Sequence, residues 1–314
     1  MTRARASALL AGAASVLAGA ARGRAQATAT VRIATLPIES AAEVFFAKDM
    51  GFFAKAGLDV DIQTMQNGAS IAAAELSGAV DIGYSPVDVL ANIHQKNVPI
   101  VIIAPANEYI SPSRNAGLVL APGSAIRQAK DLNGKTIAVA ALHSLSESAP
   151  RAWIDRNGGD SSTVKFVEIP FPAMLPALDS GRVDAVWDAE PFLSTAAKSE
   201  RVLEYGFDAI AKRFLIGAWF TTRQWASDHG DAVARFAAAI HETAVWTNKN
   251  PGPSGQILAK YTKIDPAVIA TMTRSRCGET LTAAALQPLI DLSAKYNEFP
   301  AFPAQELIYA PAKP

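Results

Sequence analysis

A short sequence motif occurs twice in this chain, in copies about a hundred residues apart. The first copy, from Ser77 to Pro86, reads SGAVDIGYSP, and the second, from Ser180 to Pro191, reads SGRVDAVWDAEP. Aligned on Ser-Gly-x-Val-Asp, the copies lie 103 residues apart, and each carries an aromatic residue at the same place, Tyr84 or Trp187. Each copy predicts a helix that closes on glycine, a buried apolar strand and a polar turn, because helices commonly end on a left-handed glycine.

A second repeat precedes each copy at nearly the same spacing. Residues 31–43 read VRIATLPIESAAE and residues 135–147 read KTIAVAALHSLSE, with an offset of 104. Both end in Ser-x-x-Glu, the capping box that starts a helix. Two repeats in the same order predict a duplicated α/β module.

Length and composition limit the possible classes of protein. The chain has 314 residues, of which 50% are hydrophobic and 18% charged, so it is long enough for two domains and is not disordered. No basic run occurs, which argues against a nucleic-acid partner.

The first 27 residues predict a cleaved secretory signal peptide and a periplasmic location. Arg3 and Arg5 precede an uncharged run of 15 residues, Ser7 to Ala21, and Ala25-Gln26-Ala27 supplies the small residues of a cleavage site. That run is shorter than the about 20 residues of a spanning helix. The alternative is a disordered tail. Cys277 is the only cysteine, so neither an intramolecular disulfide nor a lipid anchor on a cysteine after the signal is expected.

Four segments carry a resemblance to a known family. They are MGFFAKAGLDV at 50–60, GAVDIG at 78–83, DLNGK at 131–135 and the second copy of the repeat up to Phe192. In this order they resemble the solute-binding proteins of ABC importers, in the nitrate/sulfonate/taurine group (NMT1/THI5-like, SsuA-like). The resemblance spans nearly the whole mature chain. It implies an α/β, two-lobed, type II periplasmic-binding-protein (Venus-flytrap) fold with a ligand cleft between the lobes.

Two segments of the chain are predicted to cross between the lobes, in agreement with this two-lobe plan. The first crossing is at 107–117, where Ser, Pro, Arg and Asn interrupt the regular pattern, and the crossing back is at 215–222. We therefore predict a signal peptide at 1–27, the first part of lobe 1 at 28–113, lobe 2 at 114–218 and the return to lobe 1 at 219–314. The C-terminal helices are expected to pack on the first lobe.

Ligands of open α/β sheets bind beyond the carboxyl ends of the strands, where loops lead into helix N-termini. If the two modules face each other, six such loops converge on one cleft. The predicted ligand-binding residues are Glu39, Ser40, Asn67, Ser70, Tyr84, Ser85, His143, Ser144, Trp187, Asp188, Glu190 and Trp219.

Several of these residues have a second interpretation. Ser40 and Ser144 are equally explained as helix caps, and His143 as a surface residue. Glu39 favours a ligand with N–H or O–H donors, or it pairs with Arg114. Glu190 is also explained as structural. Aromatic residues near strand ends are more often core than ligand walls, and Phe171 is assigned to the core.

Enzymatic motifs are absent from the sequence. The four histidines have no metal-ligand spacing, and no GxSxG, P-loop or GxGxxG occurs. The pyrimidine synthases of this fold use a cysteine-rich motif, which a chain with one cysteine lacks. The sequence therefore predicts no enzyme, no cofactor and no metal.

The predicted function is capture of a small organic solute, such as an aromatic carboxylate, a sulfonate or a pyrimidine-like molecule. The predicted partner is an inner-membrane ABC permease, and a monomer is expected. The alternatives are an enzyme on the same fold, either a pyrimidine synthase or a lyase, and a ligand-sensing partner of a membrane receptor.

Overall fold

The computed structural model describes residues 29–296 and 299–310, and the predicted signal peptide lies outside the described residues. The strands are β1 (Ala29–Thr35), β2 (Leu58–Thr64), β3 (Ile82–Pro86), β4 (Ile100–Pro105), β5 (Asn107–Ile110), β6 (Ala116–Leu120), β7 (Thr136–Val139), β8 (Lys165–Glu168), β9 (Ala185–Ala189), β10 (Arg201–Glu204), β11 (Arg213–Leu215), β12 (Gly217–Thr222) and β13 (Arg276–Cys277). The helices are α1 (Glu43–Asp49), α2 (Phe52–Lys55), α3 (Gly68–Leu76), α4 (Val87–Gln95), α5 (Leu145–Arg156), α6 (Phe171–Asp179), α7 (Phe192–Ala196), α8 (Arg223–Asp228), α9 (Gly230–Lys249), α10 (Pro251–Thr262), α11 (Pro266–Ile269) and α12 (Ala283–Tyr296).

The first sheet contains five strands in the order β2-β1-β3-β12-β4. Strand β1 is parallel to β2 and β3, whereas β12 lies antiparallel between β3 and β4. All six residues of β4, IVIIAP, are buried. A continuous apolar run of this kind is typical of a strand covered on both faces.

The second sheet repeats this arrangement in the second half of the chain. Its order is β10-β6-β9-β7-β8, with β7 parallel to β8 and β9 and with β6 antiparallel between β9 and β10. Ile33 pairs with Ile82 in the first sheet and Ile137 with Ala185 in the second, so the matching partners are offset by 104 and 103 residues. The predicted duplication of an α/β module is confirmed.

The repeated Ser-Gly-x-Val-Asp motif has the same structural role in both sheets. Gly78 (φ 73°) and Gly181 (φ 69°) adopt the left-handed conformation that ends α3 and α6. The carboxylate of Asp81 then accepts a hydrogen bond from the backbone N–H of Arg32 at 2.8 Å, and Asp184 does the same for Thr136 at 2.8 Å. Each aspartate thus ties the start of one strand to its parallel neighbour.

The chain passes between the halves through a small third sheet, in which β5 pairs antiparallel with β11 and β13. Strand β12 follows β11 and enters the first sheet. The predicted lobe boundaries at 113/114 and 218/219 stay predictions.

The helical segment that follows the first Ser-x-x-Glu pattern differs from the expected capped helix. It is broken at Gly51, whose left-handed φ of 75° separates α1 from α2. Ser40 is not an N-cap, because it lies inside a 3-10 helix, Glu39–Ala41, and α1 begins after Ala42 without a side-chain cap.

The C-terminal helices pack on more than the first lobe. Helix α9 packs against α1, α2 and β4, as expected, but α12 contacts both α4 of the first half and α5 of the second. The hydroxyl of Tyr296 in α12 donates to Asp155 Oδ2 in α5 at 2.7 Å. Helix α12 therefore connects the two halves. None of the described helices combines the length and the apolar character needed to cross a membrane.

Candidate functional site

A buried polar cluster surrounds the hydroxyl of Tyr84 in β3. This hydroxyl donates to Asn107 Oδ1 at 2.9 Å and is hydrogen-bonded to the side chain of Ser40. Burial raises the pKa of Tyr84, and the nearby carboxylates of Asp88 and Glu43 raise it further. We call the group of side chains around this hydroxyl the Tyr84 cluster. It consists of Ser40, Glu43, Tyr84, Asp88 and Asn107, which come from five segments of the first half.

Glu43 connects this cluster to Trp219. The indole Nε1 of Trp219 donates to Glu43 Oε2 at 3.0 Å, and its ring packs edge-on against Tyr84 with centroids 5.6 Å apart. Burial raises the pKa of Glu43 to about 8, opposed only in part by hydrogen bonds from Trp219 and from the thiol of Cys277. The carboxyl group of Glu43 therefore holds its proton for the most part at neutral pH.

Asp88, in the first turn of α4, faces the second half of the chain. Burial raises its pKa to about 7, while backbone N–H groups, including that of Leu145 at the start of α5, lower it. The neighbouring Asn92 makes a second contact in the same direction, since its Nδ2 donates to the backbone oxygen of His143 at 3.0 Å. The cluster thus lies where the two halves meet.

Several polar atoms of the cluster have no hydrogen-bond partner among the described residues. They are Glu43 Oε1, Asn107 Nδ2 and both carboxylate oxygens of Asp88, which the backbone N–H groups approach without reaching ordinary hydrogen-bond geometry. Glu43, Asp88 and Asn107 are 3%, 1% and 3% exposed. An unsatisfied buried polar group costs about 1–3 kcal/mol, so a group of them needs a functional explanation.

A second group of predicted residues lies at the N-terminus of α3. Asn67 Oδ1 accepts from the backbone N–H of Ser70 at 2.8 Å, and the Ser70 hydroxyl interacts in turn with Asn67, which makes a capping box. Ser85 is fully buried and its Oγ has no partner in the part of the chain that the structure describes. A Cβ at Gly68 would approach that oxygen to 2.5 Å, so glycine permits this contact.

His143 and Ser144 precede α5 in the second half. His143 is exposed, has a left-handed φ of 55°, and its backbone N–H donates to Glu147 Oε2 at 2.7 Å. Ser144 holds the N-cap position, yet its hydroxyl bonds Ala141 O at 2.7 Å rather than the helix. The predicted side-chain cap at Ser144 is therefore wrong.

Trp187 and Asp188 are both buried in β9. The ring of Trp187 packs on Phe207 with centroids 5.5 Å apart, and Gly206 lies against the same ring. Asp188 Oδ1 accepts from the backbone N–H of Ala189 at 3.0 Å, whereas Oδ2 has no partner within residues 29–296 and 299–310. Burial and the charge of Glu190 raise the pKa of Asp188 to about 7.

Glu190 and Glu39 accept hydrogen bonds from the same segment after α11. Glu190 Oε1 accepts from Ser194 Oγ at 2.8 Å and from the backbone N–H of Thr273 at 3.2 Å, so it joins the second half to the first. Glu39 forms an ion pair with Arg274 and accepts from the backbone N–H of Ser275 at 2.9 Å. Pairing of Glu39 with Arg114 is wrong, because Arg114 lies over the ring of Tyr205.

The structure thus brings together three of the twelve predicted residues, Ser40, Tyr84 and Trp219, in or beside the Tyr84 cluster, and places the others in separate groups. Ligand contact by any of the twelve stays a prediction. Glu43, Asp88 and Asn107 of the cluster are not among the twelve residues predicted from the sequence. A sequence feature that could have indicated Asp88 is its position in the first turn of the helix after the Tyr-Ser-Pro end of β3. Glu43 belongs to the Ser-x-x-Glu pattern, which predicts a helix-capping role for it instead.

Two cavities lie elsewhere on the protein. One of about 380 Å³ lies between α5 and α12, beside Arg156 and Lys295, and one of about 150 Å³ lies beside Arg274 and Arg276. Neither is lined by a predicted ligand-binding residue. No group of three or more His, Cys, Asp or Glu side chains able to hold a metal ion occurs among the residues described.

Two similar sheets, each with one antiparallel strand inserted and a buried polar cluster where the halves meet, define the two-lobed fold of periplasmic binding proteins. The family model described as NMT1/THI5 like matches residues 39–254. The chain belongs to this family.

Individual proteins are similar to this chain in sequence or in fold. The taurine-binding periplasmic protein of Escherichia coli is 27% identical over 199 residues, which cover 60% of this chain and 58% of that protein. The periplasmic aliphatic sulphonate binding protein SsuA from Escherichia coli has a TM-score of 0.73 at 18% identity, covering 91% of this chain and 93% of that one. The desulfurization enzyme DSZB has a TM-score of 0.66 at 14% identity, covering 90% and 96%.

Proposed function

We propose that this chain is the periplasmic substrate-binding component of an ABC importer. It captures a small organic solute between its lobes and delivers it to an inner-membrane permease. The observation that carries the proposal is the Tyr84 cluster, in which buried polar atoms without partners lie where the two halves meet. Membership of a family with sulfonate- and taurine-binding relatives supports it.

The proposed mechanism is a shift between open and closed arrangements of the lobes. A solute that contacts both lobes stabilises the closed arrangement by the difference between its affinities for the two states. Contacts such as that between Glu190 and Thr273 then belong to the closed arrangement, whose surface the permease recognises.

A thermal-shift screen of residues 28–314 against aromatic carboxylates, sulfonates and pyrimidines tests the function. Solute at about a thousand times its dissociation constant adds about 4 kcal/mol to the free energy of unfolding. Tyr84→Ala and Trp187→Ala should weaken binding of the best compound. Unchanged affinity in both variants would contradict the proposed cleft.

The alternative is an enzyme on the same fold, which the similarity to DSZB favours. Incubation of the protein with its best solute separates the two functions. Stoichiometric capture with recovery of unaltered solute supports transport, and appearance of product supports an enzyme.

A further inference from the structure

The larger of the two cavities, of about 380 Å³, lies between α5 of the second half and α12, which packs on α4 of the first. One face of each helix lines it, because Ala152 and Arg156 are four positions apart in α5, as are Pro288 and Leu292 in α12. Residues 209–211, just before β11, form the third wall. We call this cavity the α5/α12 groove.

The groove is separate from the place where Asp88 approaches Leu145. Leu145 begins α5 and Arg156 ends it, so these two residues lie about 16 Å apart at 1.5 Å per residue. The groove lies toward the C-terminal end of α5, and none of the twelve predicted ligand-binding residues lines it. It is therefore a second candidate site and not an extension of the predicted cleft.

Small and apolar side chains leave this space open. Ala152, Ala209 and Leu292 are 4%, 8% and 8% exposed, and Ile210 is half-buried. Larger side chains at the three alanine positions, 152, 209 and 211, would occupy part of the volume. A molecule with an apolar body removes this aliphatic surface from water, so the groove favours such a ligand.

Two basic side chains lie at the groove. Lys295 Nζ donates to the hydroxyl oxygen of Tyr296 at 3.0 Å and lies 3.6 Å from Asp155 Oδ2, so its charge already has a partner. Burial raises the pKa of the Tyr296 hydroxyl, and Arg156 is near enough to oppose that rise. The Arg156 guanidinium itself has no hydrogen bond or ion pair within the part of the chain that the structure describes.

One acid, Asp291, also lines the groove. It lies four positions before Lys295, about 6 Å along the axis of α12, and its Oδ1 accepts from Gln287 Nε2 at 2.8 Å. Basic side chains therefore outnumber acidic ones among the residues that line the groove, and Arg156 is the one whose charge is unpaired. A guanidinium offers its N–H donors in the geometry that fits a carboxylate.

We infer that the α5/α12 groove binds a small carboxylate with an aliphatic body, such as a short-chain fatty acid. Its carboxylate pairs with Arg156, and its chain lies on Ala152, Ala211 and Leu292. This site goes beyond the proposed capture of a solute in the cleft. A ligand in the groove touches both halves beside β11, on one of the two connections between them, so it favours the arrangement of the halves in which the groove has this shape.

Calorimetric titration of residues 28–314 with octanoate and octylammonium tests the inference. The two probes have chains of the same length and opposite charge. We expect octanoate to bind at least about fivefold more tightly, because Arg156 pairs with a carboxylate and repels an ammonium group. Equal or tighter binding of octylammonium overturns the inference, and so does the absence of measurable octanoate binding. Neither result bears on solute capture in the cleft.

Variants of the lining residues identify the place of binding. Arg156→Glu should weaken octanoate about fivefold or more, and Ala211→Phe, whose ring would fill the groove, about tenfold or more. Arg182→Glu is the charge-matched control, because Arg182 is exposed, lies in the second half and does not line the groove, so binding should stay within about twofold. Unchanged binding in both Arg156→Glu and Ala211→Phe contradicts the assignment, as does an equal loss in Arg182→Glu.

Discussion

At the scale of single residues, the buried acids of the Tyr84 cluster make stability depend on pH. Burial raises the pKa of Glu43 from 4.5 to about 8 and that of Asp88 from 3.8 to about 7. Between these values the folded protein holds protons that the unfolded chain has lost. The free energy of unfolding should therefore fall as the pH rises through this window, by at most about 1.4 kcal/mol per pH unit for each group.

Urea unfolding without solute at pH 5 and pH 8 measures this effect. Glu43→Gln should make the fall with pH shallower, because its amide does not titrate. Asp179→Asn, which alters an exposed acid, should reproduce the unaltered protein. The same pH dependence in Glu43→Gln and in the unaltered protein would show that burial does not hold a proton on Glu43.

At the scale of elements, the two repeated aspartates should differ in their contribution to stability. Asp81 and Asp184 each accept one backbone hydrogen bond, but Asp81 also binds the Arg32 guanidinium at 2.6 and 3.0 Å and is the more buried of the two. We expect Asp184→Ala to cost about 1 kcal/mol and Asp81→Ala about 2–3 kcal/mol.

Chemical denaturation of the two variants tests this difference. Lys135→Ala is the control, because its ammonium lies 3.8 Å from Asp184 and both side chains are well exposed, so its cost should stay below about 0.5 kcal/mol. A larger cost for Asp184→Ala than for Asp81→Ala would mean that Arg32 does not stabilise the first sheet.

Much of the architecture could be predicted from sequence because each copy of the repeat determines its structure through residues that are close together in the chain. Ser-Gly-x-Val-Asp fixes a helix end and the following strand, and two copies predicted two similar sheets. The polar cluster could not be predicted, because its contacts join residues far apart in the chain. Glu43 and Trp219 are separated by 176 positions, and a Ser-x-x-Glu pattern gave Glu43 a local role that the 3-10 turn before α1 removes.

At the scale of the whole molecule, the contact between α12 and α5 should favour the closed lobes. Tyr296→Phe removes the hydroxyl that donates to Asp155 across the halves. A hydrogen bond to a charged group contributes about 1.5–3 kcal/mol, so its loss should shift the balance toward open molecules about tenfold or more. Small-angle X-ray scattering should report a larger radius of gyration.

Tyr261→Phe is the matched control for this prediction. Its hydroxyl also donates to an aspartate, Asp49 at 2.8 Å, but both residues belong to elements that pack together in the first half. The radius of gyration should not change in this variant. An equal increase in both variants would indicate general loosening of the protein instead of a specific contact between lobes.

The insertion of β12 into the first sheet affects the order in which the protein can form during synthesis. The strands of the second sheet, β6 to β10, are continuous in the chain from residue 116 to residue 204. The first sheet needs β12, which ends at Thr222, although its other strands end at Pro105. A growing chain therefore completes its later half before its earlier one, and the N-terminal strands must wait for more than a hundred residues before their sheet is whole.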